Sequence, residues 1–99
     1  MAYRIEYLPI VKLHFRTLTA RQRSIVLDSV DEQLTYEPIV ITRNRFLMRP
    51  DSIAAWELRI GELRVYYDIE EDPEQVVYIC AVGVKEGNLV RIGTEVVSP

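Results

Sequence analysis

From its third residue onward, the chain's apolar and polar positions fall into blocks of two different periods. Tyr3 to Leu8 (YRIEYL) alternates large and polar residues, the mark of a half-buried strand. Pro9 then fits the first turn of a helix, where its missing N–H costs nothing, so PIVKLHFRTL reads as a short helix. Thr19 restarts the helical pattern: Gln22 stands three residues on, the spacing of a capping box, and Ile25, Val26, Val30 and Leu34 recur at helical intervals. This second helix should end near Tyr36, ahead of Pro38. Residues 39 to 53 (IVITRNRFLMRPDSI) have no clean period and read as extended loop across a surface.

Three strand signals follow, AWELRI at 55 to 60, ELRVYYDI at 62 to 69 and VVYICAVGV at 76 to 84. The third is apolar almost throughout, as expected of a central strand covered on both faces. After a turn at Gly87 and Asn88, the alternation of Leu89 and Arg91 with Val90 and Ile92 favours a short final strand. Strand, helix, helix and then three or four strands make an α+β domain: two helices on one face of a mostly antiparallel sheet, the first strand beside the central one. With 99 residues and 48% apolar content, one domain spanning 1 to 99 is expected.

Net charge is −3, which argues weakly against a nucleic-acid partner, but its distribution changes that picture. Residues 1 to 50 carry eight Lys or Arg against five Asp or Glu, a balance of +3, while residues 51 to 99 carry four against ten, a balance of −6. Five of the acids, Asp68, Glu70, Glu71, Asp72 and Glu74, crowd one turn, so a basic surface elsewhere is compatible with the total. Arg43, Arg45 and Arg49 make the loop before the hairpin the basic part of the chain.

No run approaches the roughly 18 to 20 apolar residues of a membrane span, and MAYRIEYLPI lacks the charged start and apolar stretch of a signal peptide; the expectation is a cytoplasmic protein without membrane contact. Cys80 is the lone cysteine and His14 the lone histidine, which excludes an internal disulfide and leaves a metal cluster or a serine, histidine, aspartate triad without enough ligands or partners. Neither a metal nor a cofactor is expected.

Candidate chemistry gathers on the hairpin. Alternation puts Trp56, Leu58 and Ile60 with Leu63, Val65, Tyr67 and Ile69 on the face that helices should cover. Glu57, Arg59, Arg64 and Tyr66 fall on the other, open face. Two guanidinium groups and an aromatic ring could hold a phosphate and stack a base. The same residues could equally be cross-strand ion pairs on a solvated face, each worth well under ~1 kcal/mol.

Trp56, Leu58, Arg59, Gly61, Arg64, Val65 and Tyr67, with Ala81 to Glu86 at the end of the next strand, resemble the hairpin of the bacterial RelE/ParE toxin superfamily. Element order extends the resemblance over nearly the whole chain. It implies a RelE-like fold and the toxin of a type II toxin–antitoxin module, bound by a cognate antitoxin. The RelE-like branch cuts messenger RNA in the ribosomal A site; the ParE-like branch inhibits DNA gyrase; a toxin-like scaffold that binds only its antitoxin is a further alternative. DNA would be met only indirectly, through the antitoxin.

In the cutting branch the RNA 2′-hydroxyl attacks the adjacent phosphate. Such a site needs a proton acceptor, cations for the charged transition state and a proton for the leaving oxygen. The resemblance puts the phosphate-clamping arginine on Arg64 and a second basic residue on Lys85; the tyrosine or histidine that some members place near the C terminus is not found, and Arg91 stands closest to it by spacing. Two lysine positions of the family are Ala55 and Glu57 here, and no acid lies between Ile39 and Arg49 to match the base of related members. Glu57 is therefore the best replacement base, ahead of Glu86. Arg59, Arg43, Arg45, Arg49 and Tyr66 are the expected RNA contacts, the loop arginines through its phosphates.

Overall fold

The computed structural model describes residues 2 to 98. Strand β1 (Arg4–Tyr7) leads into helix α1 (Val11–Arg16) and helix α2 (Ala20–Leu34). Strands β2 (Arg45–Leu47), β3 (Trp56–Ile60), β4 (Leu63–Glu70), β5 (Val76–Glu86), β6 (Leu89–Ile92) and β7 (Glu95–Val97) complete the chain. The capping box forms as the spacing predicts: the Gln22 backbone N–H donates to Thr19 Oγ1 at 3.1 Å, and the Thr19 N–H donates to Gln22 Oε1 at 2.9 Å.

The α+β class, the two helices and the central strand agree with expectation; β2 and β7 are additions. Each is three residues long, too short for a period of 2 to show in the sequence. The sheet runs β2-β3-β4-β5-β6-β7, antiparallel throughout, and β1 pairs in parallel with the first half of β5. Since β6 takes the second half of that same edge, from Gly83 to Glu86, β5 is flanked along nearly its whole length. The gap between β1 and β6 is filled by α1, where buried His14 accepts the Val82 N–H on Nδ1 at 3.3 Å.

One face of the sheet carries the main core. Leu58, Val65, Val77, Ile79 and Val82 are fully buried there against Val11, Val26, Val30 and Leu34 of the helices. Trp56 and Tyr67 are cross-strand partners whose rings stack at 5.9 Å between centroids. The opposite face does not lie open. The sheet curls until β7 meets the segment before β3, leaving a cleft of about 260 Å³ between Val97 and Ser98 on one side and residues 49 to 53 on the other. Inside the curl Ala54, Tyr66, Ala81 and Val90 form a second small core, backed by Met48, Cys80, Ile92 and Val97.

Two glycines make this geometry possible. Gly61 holds a φ of +57°, the left-handed conformation that primed two-residue hairpin turns require, between the paired Ile60 and Leu63. Gly83 lets β6 approach: a Cβ there would lie 2.7 Å from the Arg91 carbonyl oxygen and 2.8 Å from side-chain atoms of Val90 and Ile92.

Candidate functional site

The hairpin register places the predicted charged group on one face. Arg59 is the Cα partner of Arg64 and Glu57 the partner of Tyr66. On β5, Gly83 lies beside Arg64 and Ala81 beside Tyr66, so Lys85, two residues beyond Gly83, shares their face. Arg59, Arg64, Glu57, Tyr66 and Lys85 are therefore brought together.

Burial separates them in a way the alternation does not show. Glu57, Arg64 and Tyr66 were expected on an open face and are buried, with 4%, 7% and 0% of their surfaces exposed. The cause is the curl of the sheet, which brings β6 and β7 over Tyr66. The base-stacking role expected of Tyr66 loses its surface with that burial. Its hydroxyl lies beside the Glu57 carboxylate without reaching hydrogen-bond geometry. Burial first and the Glu57 charge second push the Tyr66 phenol up from its ordinary range, partly offset by Arg64 and Arg59. The hydroxyl stays protonated at any physiological pH.

The two arginines make different contacts. Arg64 bends toward the turn, where its Nη1 donates to the carbonyls of Gly61 at 2.7 Å and Leu63 at 2.9 Å. Arg59 bends the other way along β3: its Nε donates to Glu57 Oε1 at 2.7 Å, and its guanidinium carbon stands 4.7 Å from the centre of the Phe46 ring. Phe46 is the cross-strand partner of Glu57 on β2, which explains why one arginine reaches both. The Arg59 side chain is 50% exposed, against 6% for Glu57.

Arg91 and Arg45 depart from the expected cluster. Arg91 pairs with Val84, the neighbour of Lys85, and so points to the sheet face opposite Arg64. There its Nε donates to Glu86 Oε2 at 3.0 Å and its Nη1 to the Gly93 carbonyl at 3.2 Å. Arg45 pairs with Leu58 on the helix side and is buried, its Nη1 donating to the Gln33 carbonyl in the last turn of α2 at 2.6 Å. An expected phosphate contact is thus a tie between a helix end and the sheet edge. Arg43 is exposed ahead of β2, and Arg49 is exposed at the cleft facing β7. Phe46 escaped the sequence reading because the three-residue strand that aims it has no readable alternation.

No group of three or more His, Cys, Asp or Glu side chains able to hold a metal occurs among the described residues. Cys80 is the extra residue at the register shift between β4 and β5, half-buried beside Asp68. Burial, and then the Asp68 charge, raise its thiol pKa to about 11.

No protein-family model and no curated protein matches the chain. Among solved structures, a chain of the toxin–antitoxin complex RelBE2 from Mycobacterium tuberculosis superposes with a TM-score of 0.72 at 21% identity, covering 86% of this chain and 100% of that one. The fold is RelE-like. Within that RelE-like fold, the β3–β4 hairpin and the long β5 carry the charged residues described above. No helix among the described residues is long and apolar enough to cross a membrane.

Proposed function

We propose that this protein is the toxin of a type II toxin–antitoxin module and acts in the cytoplasm as a ribosome-dependent endoribonuclease on messenger RNA in the A site. The observation that carries this reading is the pairing of Arg59 with Arg64 across the hairpin of a RelE-like fold, with Lys85 on the same face. A phosphodiester whose 2′-hydroxyl attacks its own phosphate gains negative charge in the transition state, and fixed cations are what lower that barrier. Arg64, held rigidly against the turn carbonyls, and the exposed Lys85 and Arg59 are the groups this face can supply.

Proton transfer is less well provided. Glu57, the expected base, is buried in an ion pair with Arg59, and His14 is spent on the Val82 N–H. On this reading the protein contributes charge and positioning, and the ribosome completes the site. Expression without the antitoxin should arrest translation, and purified protein added to programmed ribosomes should cut messenger RNA in the A site. Intact messenger RNA in that assay rejects the nuclease.

The engagement of Glu57 favours a second reading, a non-catalytic toxin-like module that binds DNA gyrase or serves as a scaffold for its antitoxin. Gyrase inhibition would appear as trapped DNA breaks in a supercoiling assay while translation continues.

A further inference from the structure

We infer that Arg59, held between Glu57 and Phe46, is the residue through which this face binds a phosphate, and that Glu57 is its anchor. The inference rests on the RNA-cleaving reading of the same face and reassigns two of its residues. A guanidinium has five N–H donors, and what it can still bind depends on which are already used. The Arg59 Nε–H is committed to Glu57 at 2.7 Å, and the plane of the group is braced by the Phe46 ring at 4.7 Å. Its terminal nitrogens, Nη1 and Nη2, donate no hydrogen bond to any described residue, and half of the side chain faces solvent. Those two nitrogens form the edge that matches two phosphate oxygens in parallel.

Arg64 is the poorer binder because it is buried, not because its donors are used up: its Nε and Nη2 donate to no described residue. Only 7% of its surface is exposed, and its Nη1 already serves two carbonyl oxygens of the turn. With so little of it exposed, the group would have to swing outward to reach a ligand, which would unmake both Nη1 bonds and leave those carbonyls to find other donors. Arg59 can accept a phosphate without giving up any contact.

The placement of Glu57 fits an anchor better than a base. A carboxylate only 6% exposed requires a partner charge, and Arg59 is the cation that supplies it. As a base it would have to release Arg59 and surrender that compensation. As an anchor it fixes the side chain before the ligand arrives, so less rotamer freedom is lost on binding.

The test reads binding apart from cleavage. Arginine Nε–H resonances are followed by NMR while inorganic phosphate, and then a short 2′-O-methyl RNA that cannot be cut, are titrated into the intact protein. The Arg59 signal should move and saturate with both probes while the Arg64 signal stays in place. Arg59→Gln should weaken binding of the oligonucleotide by about tenfold, the scale of one lost bidentate contact. Arg59→Lys and Phe46→Leu should each weaken it several-fold, because one keeps the charge without the fork and the other removes the brace.

Since Arg59→Gln strands a buried carboxylate, the double variant Glu57→Gln/Arg59→Gln serves as the folded control, and it should bind as weakly as the single one. Movement of the Arg64 signal with that of Arg59 still, or wild-type affinity in Arg59→Lys, overturns the inference. Full ribosomal cleavage by Arg59→Gln also overturns it while leaving the nuclease intact. Phosphate binding at Arg59 without any cleavage by the wild type supports the inference and rejects the nuclease.

Discussion

Arg59 and Arg64 are direct partners across the β3–β4 ladder, yet their guanidinium groups turn in opposite directions, Arg59 toward Glu57 and Phe46 and Arg64 toward the carbonyls of the turn. Like charges placed opposite each other on a sheet repel. Divergence relieves that repulsion and gives each arginine a separate task. Arg59 faces solvent with donors to spare, and Arg64 closes the hairpin.

Arg64→Ala should therefore cost stability as well as any activity. It removes charge-assisted bonds to Gly61 and Leu63, and about 1 to 3 kcal/mol should be lost in urea unfolding. Arg64→Lys should recover part of the loss, because an ammonium can still donate to one of the two carbonyls. An alanine variant as stable as the wild type would show that the turn does not depend on this contact.

Glu57→Gln separates anchor from base. A glutamine of the same shape can still accept from the Arg59 Nε, so a positioning role predicts a fall in A-site cleavage of less than about tenfold. Loss of a general base costs on the order of 10² to 10⁴ in rate. A loss of that size, with Arg59 binding preserved, would return Glu57 to the catalytic role.

The hairpin register was legible because Trp56, Leu58, Val65 and Tyr67 alternate with polar residues, and alternation fixes which side chains share a face. The capping box was legible from Thr19 and Gln22 alone. Whether the polar face lies open was not, because its cover comes from the curl that carries β6 and β7 over Tyr66, and β7 offers only Glu95, Val96 and Val97 as a signal. Arg45 misled for a related reason. An arginine in a basic loop reads as exposed until a three-residue strand turns it toward the last turn of α2.

Gly83→Ala tests that cover. The added methyl would meet the Arg91 carbonyl oxygen, a backbone atom that can move only if β6 moves with it. Overpacking of this kind costs about 1 to 3 kcal/mol. Thermal unfolding should shift downward, and amide exchange should accelerate in β6 and β7 while β3 and β4 keep their protection. Uniform acceleration across all strands would mean that the terminal hairpin is not a separable layer.

Acid should weaken the join between α1 and the sheet through His14. The imidazole accepts the Val82 N–H on Nδ1, which only the neutral ring can do, and burial lowers its pKa below the ordinary 6.5. With the folded pKa depressed, the unfolded chain binds the proton more readily, so stability rises with pH in this range. The contribution is fully present above about pH 6.5 and declines as the pH falls from there toward the folded pKa. Urea unfolding between pH 7.5 and 5 should thus show a loss in the wild type that is smaller in His14→Gln, whose amide oxygen can accept the same N–H without titrating. The Val82 amide should lose exchange protection over the same interval, and equal pH dependence in the two proteins would assign the effect to other groups.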